Sequence, residues 1–250
     1  MNKAVGIIPA RWSSTRFPGK PLHLIAGKPL LQHVWQRCRK AQNLDSVIIA
    51  TDDMRIAEAA FDWGSEVALT SPRHQSGTDR VAEVVRNAKQ FAFVINIQGD
   101  EPLIDPYLVD RLVEKFHSDR KIDIVTAAHS FENSADASSP HQVKVVVDAA
   151  GRALYFSRAA IPFPRNSSKI RYFRHQGIYG FRRDALLQFV KWKRGPLERA
   201  ESLEQLRALE NGVNVHVLLT RHGTPGVDTP ADAEALERKL ARANGKTRAR

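Results

Sequence analysis

The chain has 250 residues, 42% of them apolar and 26% charged, with 38 Lys+Arg against 27 Asp+Glu and a formal net charge of +11. That length suits one large domain or two small ones, the apolar share is too high for disorder, and no run approaches the ~20 apolar residues of a membrane span. The single cysteine, Cys38, excludes an internal disulfide or a four-thiolate zinc site and points to the cytosol.

The opening Ala4–Ile8 reads as a buried strand ending at Pro9. The segment before it is too short for a signal-peptide core. Leu30–Lys40 carries Leu30, Leu31, Val34, Trp35 and Cys38 at helical spacing. Ser46–Ala50 reads as a strand, Arg55–Trp63 as a helix stopped by Gly64, and Val67–Leu69 as a short strand. Asp79–Lys89 reads as a helix with Val81, Val84, Val85 and Ala88 on one side, and Ala92–Ile97 as an apolar strand. Asp105 and Pro106 supply an N-cap and a first-turn proline for a helix through Phe116. Strand–helix alternation at this spacing predicts an α/β fold, Rossmann-like, with a mostly parallel sheet flanked by helices.

The second half has another texture. Ile122–Ala127, Gln142–Val147, Leu154–Phe156 and Gly177–Phe181 read as strands, with a polar loop over 161–168. Arg199–Glu210 reads as one helix closed by Asn211-Gly212, Val213–Leu219 as a last strand, and Thr229-Pro230-Ala231-Asp232 as a capped helix start. This predicts a smaller β-rich subdomain over about 121–212. The remaining core spans about 1–120 and 213–243, and a basic tail covers 244–250. The apolar Leu154–Phe156 and Ile178–Phe181 segments could serve a homodimer interface.

The net charge permits nucleic-acid binding, a small anionic substrate or a basic tail. The basic residues are scattered and no aromatic-interleaved RNA motif is present, so no specific nucleic-acid partner is expected; a nucleic-acid-binding module stays as a remote alternative.

Ligands in open α/β sheets bind beyond the carboxyl ends of the strands, and the polar clusters of this sequence fall there. After the first strand comes Pro9-Ala10-Arg11-Trp12-Ser13-Ser14-Thr15-Arg16-Phe17-Pro18-Gly19-Lys20, a loop with cations and hydroxyls that suit a polyphosphate. It lacks the spacing of a P-loop and the glycine triplet of a dinucleotide fold, and a solvated basic turn would account for it equally. Gln98-Gly99-Asp100-Glu101-Pro102 places a carboxylate just past a strand, where it can hold Mg²⁺ or simply cap a turn. Asp228 could be a second ligand or a helix-start Asp. Ser76-Gly77-Thr78-Asp79-Arg80 opens a helix and could read a base edge or an anion; capping by Thr78 is the alternative. His175, Gly177 and Tyr179 fall on one face at period two, where a lone histidine is usually a satisfied core residue. Glu204 and Gln205 look like ordinary solvent-facing helix residues.

Taken together these segments resemble the 3-deoxy-manno-octulosonate (Kdo) cytidylyltransferase family. The motifs are Ile8–Arg11, Ser14–Arg16, Pro18–Leu22, Ala50–Asp53, Gln75–Arg80, Asn96–Pro102, Ala153–Pro162, Arg174–Tyr179, Leu197–Arg207 and Gly226–Pro230. The likeness runs from about Val5 to Glu237. The first motif marks only the wider superfamily, and the later ones are specific to the Kdo branch. Trp12 and Phe17 stand where the family more often has Tyr and Leu, and 163–172 does not align.

The resemblance implies a nucleotide-diphospho-sugar transferase-like fold and a Mg²⁺-dependent reaction of CTP with Kdo giving CMP-Kdo and diphosphate, for lipopolysaccharide synthesis. It implies Arg11 and Lys20 on the triphosphate, with Ala10 beside them, and Asp100 and Asp228 on Mg²⁺. Ser76, Gly77 and Arg80 would read cytosine. Gln98, Arg158, His175, Tyr179, Glu204 and Gln205 would surround the sugar acid. It further implies a cytoplasmic homodimer. An 8-amino-Kdo or a sialic acid as acceptor is the nearest alternative.

Overall fold

The computed structural model describes residues 2–13, 17–165 and 170–248. Ser14, Thr15 and Arg16 of the first cluster, Asn166, Ser167 and Ser168 of the polar loop, and the last two residues of the basic tail lie outside them.

In chain order, β1 (Lys3–Ala10) is followed by a 3-10 turn at Lys20–Leu22 and a short hairpin, β2 (Leu24–Ile25) and β3 (Lys28–Pro29). Then come α1 (Leu30–Cys38), β4 (Ser46–Thr51), α2 (Met54–Asp62), β5 (Glu66–Leu69), α3 (Gly77–Asn87), β6 (Phe91–Asn96) and α4 (Pro106–Ser118). The second half holds β7 (Ile124–Ser130), a 3-10 turn at Ser134–Ser138, β8 (Lys144–Val147), β9 (Ala153–Ser157) and β10 (Phe173–Arg182). It closes with α5 (Arg183–Phe189), α6 (Pro196–Glu201), α7 (Leu206–Glu210), β11 (Val215–Thr220) and α8 (Pro230–Arg248).

The chain divides into two compact units. The first comprises Ala4–Ala88, Asn96–Asp110 and the chain from Thr224 onward. Its strands β1, β4 and β5 are parallel, in registers such as Ile8 opposite Ile49 and Thr51 opposite Leu69. The apolar faces of α1 and α3 are buried as their spacing requires: Leu30, Leu31, Val34, Trp35 and Cys38 on one, Val81, Ala82, Val84 and Val85 on the other. Asp53 caps α2 by accepting from Arg55 N at 3.0 Å, and Gly64, at φ 79°, follows its C-terminus. A separate apolar cluster joins Phe17, Ile25, Leu30, Val227, Ala233 and Leu236, so the hairpin and α8 seat on one another.

The second unit comprises Lys89–Ile95 and Arg111–Gly223. Here β11 runs parallel to β7, and β7–β10, β10–β8 and β8–β9 are antiparallel. Val215–Thr220 pairs residue for residue with Ile124–His129, so β11 belongs to this unit, whereas the sequence-based division puts 213–223 with the other core. Phe93 stacks on Phe116 with ring centroids 5.1 Å apart, which ties 89–95 to the C-terminal half of α4.

Three local expectations are corrected. The predicted helix Arg199–Glu210 is two helices, α6 and α7, separated at Ser202, which takes the left-handed conformation at φ 52°. The N-cap of α3 is Ser76, not Thr78. Ser76 Oγ accepts from Asp79 N at 3.1 Å, and Asp79 Oδ2 accepts from Ser76 N at 3.2 Å. This is a complete capping box with Asp at the third position. Phe156, Ile178 and Phe181 are buried inside the second unit, which leaves Leu154, 62% exposed, as the accessible apolar residue of the two segments considered for an interface.

Candidate active site

The first unit holds a cleft of about 280 Å³ lined by fourteen residues. Nine of the residues singled out in the sequence line it: Ala10, Arg11, Lys20, Ser76, Gly77, Arg80, Gln98, Asp100 and Asp228. The reason is topological. β1 delivers Pro9–Arg11, Asn96 passes the chain into the Gln98–Asp100 turn, and the Ser76 cap of α3 faces the same edge. Backbone approach is close here. A Cβ on Gly99 would stand 3.2 Å from the Pro9 carbonyl, and one on Gly77 would stand 3.1 Å from Pro9 Cγ. A side chain at either position would require Pro9 to give way by a few tenths of an ångström.

Lys20 organises the charged end. Its ammonium donates to Asp100 Oδ2 at 2.6 Å and to the Val227 carbonyl at 3.0 Å, and lies 3.7 Å from Asp228 Oδ1. The backbone secures this meeting, because Val227 N donates to the Asp100 carbonyl at 2.8 Å. Asp228 is held from the other side. Its N–H donates to Asp232 Oδ2, and Asp232, bonded by Thr229 as the N-terminal cap of α8, is kept well ionised by those hydrogen bonds.

Arg80 is 5% exposed and forms part of the cleft wall. Its guanidinium pairs with Asp52 Oδ1 at 2.8 Å and donates to Thr70 Oγ1. His74 and Gln75 also line the cleft and were not assigned from sequence. His74 is bonded to Glu83, and that hydrogen bond holds the Glu83 carboxyl below the usual range. Their position directly before Ser76 was the available signal. Trp12 stacks on Arg55, with the guanidinium carbon 3.6 Å from the ring centroid.

The remaining predicted residues, Arg158, His175, Tyr179, Glu204 and Gln205, lie in the second unit. Arg158 spends its guanidinium on main-chain carbonyls: Glu201 at 2.7 Å, Pro140 at 3.0 Å and Ser202 at 3.4 Å. His175 and Tyr179 come together with ring centroids 5.4 Å apart, across a bulge at Gly177 and Ile178 where the β10–β7 register shifts. Thr126 Oγ1 supports the bulge by donating to the Ile178 carbonyl at 2.7 Å, and lies 3.0 Å from His175 Nε2. Burial pushes the His175 imidazole down to about 3, so it stays neutral, and its edge packs on Phe156. These are the contacts of a satisfied core histidine. Burial, with the Glu204 carboxylate beside it, raises the Tyr179 phenol well above its ordinary range. Gln205 is 8% exposed, not solvent-facing as its pattern suggests, and its buried Nε2 has no hydrogen-bond partner among the described residues.

The cytidylyltransferase family model matches residues 5–216. A 3-deoxy-manno-octulosonate cytidylyltransferase of Fusobacterium nucleatum is 45% identical over 234 residues, covering 94% of this chain and 95% of its own. The enzyme of the same name from Solibacter usitatus is 49% identical over 237 residues, covering 94% of each. A solved structure of CMP:2-keto-3-deoxy-manno-octonic acid synthetase complexed with CTP superposes with a TM-score of 0.93 at 43% identity, covering 97% of this chain and all of that one. With identity at this level along almost its whole length, the chain belongs to the 3-deoxy-manno-octulosonate cytidylyltransferase family.

Proposed function

We propose that the protein transfers the cytidylyl group of CTP to Kdo, giving CMP-Kdo and diphosphate. The observation that carries this reading is the cleft of the first unit, where Arg11, Lys20, Asp100 and Asp228 line one space, in a chain 43% identical to a synthetase solved with CTP. The anomeric hydroxyl of Kdo attacks the α-phosphorus in line. The new bond joins that oxygen to the α-phosphorus, the bond from that phosphorus to the α–β bridging oxygen breaks, diphosphate departs with the bridging oxygen, and the hydroxyl proton passes to solvent. Arg11 and Lys20 bind the triphosphate and offset the charge that grows on the leaving diphosphate. Ser76, Gly77 and Arg80 form the wall that takes the base. The Arg80 guanidinium is held rigidly enough by Asp52 and Thr70 to orient a polar edge.

The donor set around Lys20 fits a divalent cation. Two carboxylates and a carbonyl oxygen already surround one positive centre, and all are hard oxygen donors. Among the described residues no cluster of three or more His, Cys, Asp or Glu side chains could hold a metal. Mg²⁺, which favours one or two carboxylates with substrate phosphates, suits such a site better than a cation that needs a full protein cage. Asp100 and Asp228 would hold it, and it would supply charge neutralisation at the triphosphate.

In the second unit, Arg158, His175, Tyr179, Glu204 and Gln205 are the groups assigned to the sugar acid. The unpartnered Nε2 of Gln205 suits a sugar oxygen. A homodimer through the second unit and a cytoplasmic location belong to the same reading, supported by exposed Leu154 and the single cysteine. Among the described residues no helix is long and apolar enough to cross a membrane.

The test is diphosphate release with CTP and Mg²⁺, with Kdo present or absent and with 8-amino-Kdo, N-acetylneuraminate and UTP in parallel. Release that needs both CTP and Kdo is the expected result. Release with another acid alone would change the acceptor, and no release from folded protein would overturn the reading.

A further inference from the structure

The segment carrying Glu204 and Gln205 is held by contacts that the reaction chemistry does not require. Ser202 is a non-glycine residue at φ 52°, ψ 46°, a conformation that persists only where the surroundings enforce it. The enforcing contacts connect α6 to α7. Arg207 on α7 donates to Glu198 on α6 through Nε at 2.7 Å and Nη2 at 2.6 Å, a bidentate fork with both side chains under a tenth exposed. The guanidinium lies on the Phe189 ring, 4.8 Å from its centroid. At the far end of α7, the Glu210 carboxylate accepts from Leu197 N at 2.9 Å and Glu198 N at 3.3 Å, and it fills the space that a side chain at Gly195 would need. Two short helices are thereby folded against each other, with Leu203 and Gln205 of the turn between them buried. The same Nη2 of Arg207 stands 3.6 Å from Glu204 Oε1.

We infer that Arg207, clamped by Glu198, is a positioning residue for the sugar acid: it fixes the Ser202–Gln205 turn and orients the Glu204 carboxylate without touching substrate itself. This rests on the proposal that Glu204 and Gln205 face the sugar. A carboxylate steered by a buried, forked guanidinium can offer one oxygen in a fixed direction to a sugar hydroxyl, which a flexible surface glutamate cannot. Lysine at 207 keeps the charge but loses the fork, and glutamine at 198 keeps the shape but loses the charge.

The experiment measures kcat and KM for each substrate by diphosphate release, and the Kd of CTP in the absence of Kdo, in Arg207→Met, Arg207→Lys, Glu198→Gln and Gln205→Ala. The expected result for Arg207→Met is a KM for Kdo raised about tenfold or more, with CTP affinity within about twofold of the parent. Arg207→Lys and Glu198→Gln should fall between, and they carry the test should Arg207→Met fail to fold. Gln205→Ala separates the two ideas. If it leaves the KM for Kdo unchanged, the sugar assignment fails. If it raises that KM while the Arg207 and Glu198 variants only lower the melting temperature, the pair is structural and the inference is overturned.

Discussion

Lys20 occupies the place between the two carboxylates assigned to the metal, which makes its removal informative in an unusual direction. The substitution is Lys20→Met, which keeps the length of the side chain and deletes the ammonium. Two unit charges about 4 Å apart interact by roughly 4 kcal/mol at an effective dielectric near 20, and by about 1 kcal/mol in water. The Lys20 and Asp100 side chains are 16% and 29% exposed, and Asp228 is 57% exposed, so the site is partly wet and the lower figure governs the Asp228 share. A divalent cation arriving without nucleotide must compete with this ammonium. Deleting it should tighten nucleotide-free binding by about 1.4 kcal/mol, roughly tenfold. The assay is a Mn²⁺ titration followed by the paramagnetic resonance of the free ion, in the parent protein and in Lys20→Met without CTP. With CTP present the order should reverse, because the parent ammonium can then turn to the triphosphate. Asp100→Asn added to Lys20→Met should abolish the gain. Equal Mn²⁺ affinity of parent and Lys20→Met would refute the placement of Lys20 at the metal position.

Two further predictions concern buried groups. Cys38 is fully buried, and burial pushes its thiol up to about 12, so the folded protein should resist an aromatic disulfide reagent at pH 8 and release one equivalent of chromophore only in denaturant; rapid stoichiometric reaction of folded protein would contradict that burial. His175 is held neutral down to about pH 3, whereas an unfolded histidine titrates near 6.5. Below pH 6.5 the unfolded state therefore binds a proton that the folded state refuses, and stability falls with pH by up to ~1.4 kcal/mol per unit. His175→Gln should flatten urea-denaturation stability between pH 7 and 5 by about 2 kcal/mol relative to the parent, with His129 and His216 unchanged in both proteins; parallel profiles would rule the burial out.

The first half of the fold was legible because each element signals itself locally. Residues at helical spacing on α1 and α3 are the buried ones, Asp105 caps where expected, and Gly64 ends α2. The β2–β3 hairpin was not legible. Its strands have two residues each, its turn contains Ala26 at φ 49° beside Gly27, and its stability comes from the Phe17, Ile25 and Leu236 cluster, contacts more than two hundred residues apart in sequence. The α6–α7 break was hidden for a related reason. The Leu203, Leu206 and Leu209 spacing that suggests one helix lies wholly beyond the break, and a serine gives no sign of a left-handed conformation.

The site divides along the same line. Residues of the cleft sit in turns that directly follow parallel strands or open a helix, so the alternation of strand and helix brings Arg11, Ser76 and Asp100 to one edge before any side chain is considered. Asp228 reaches that edge through one backbone bond, from Val227 N to the Asp100 carbonyl, and no periodicity reports such a bond. Glu204 and Gln205 required more still. As members of one continuous helix they would lie on its wet face. Instead Gln205 is buried and Glu204 stands beside Tyr179, in a segment followed by Arg207, which closes on Glu198, nine residues away, in the dry interior of the second unit. A surface pair of the same residues would contribute at most about 1 kcal/mol and would not hold a strained turn, whereas breaking a buried bidentate pair costs roughly 3–5 kcal/mol, enough to enforce the turn at Ser202. The arrangement of Glu204 and Gln205 therefore depends on burial, which residue type and spacing alone do not report.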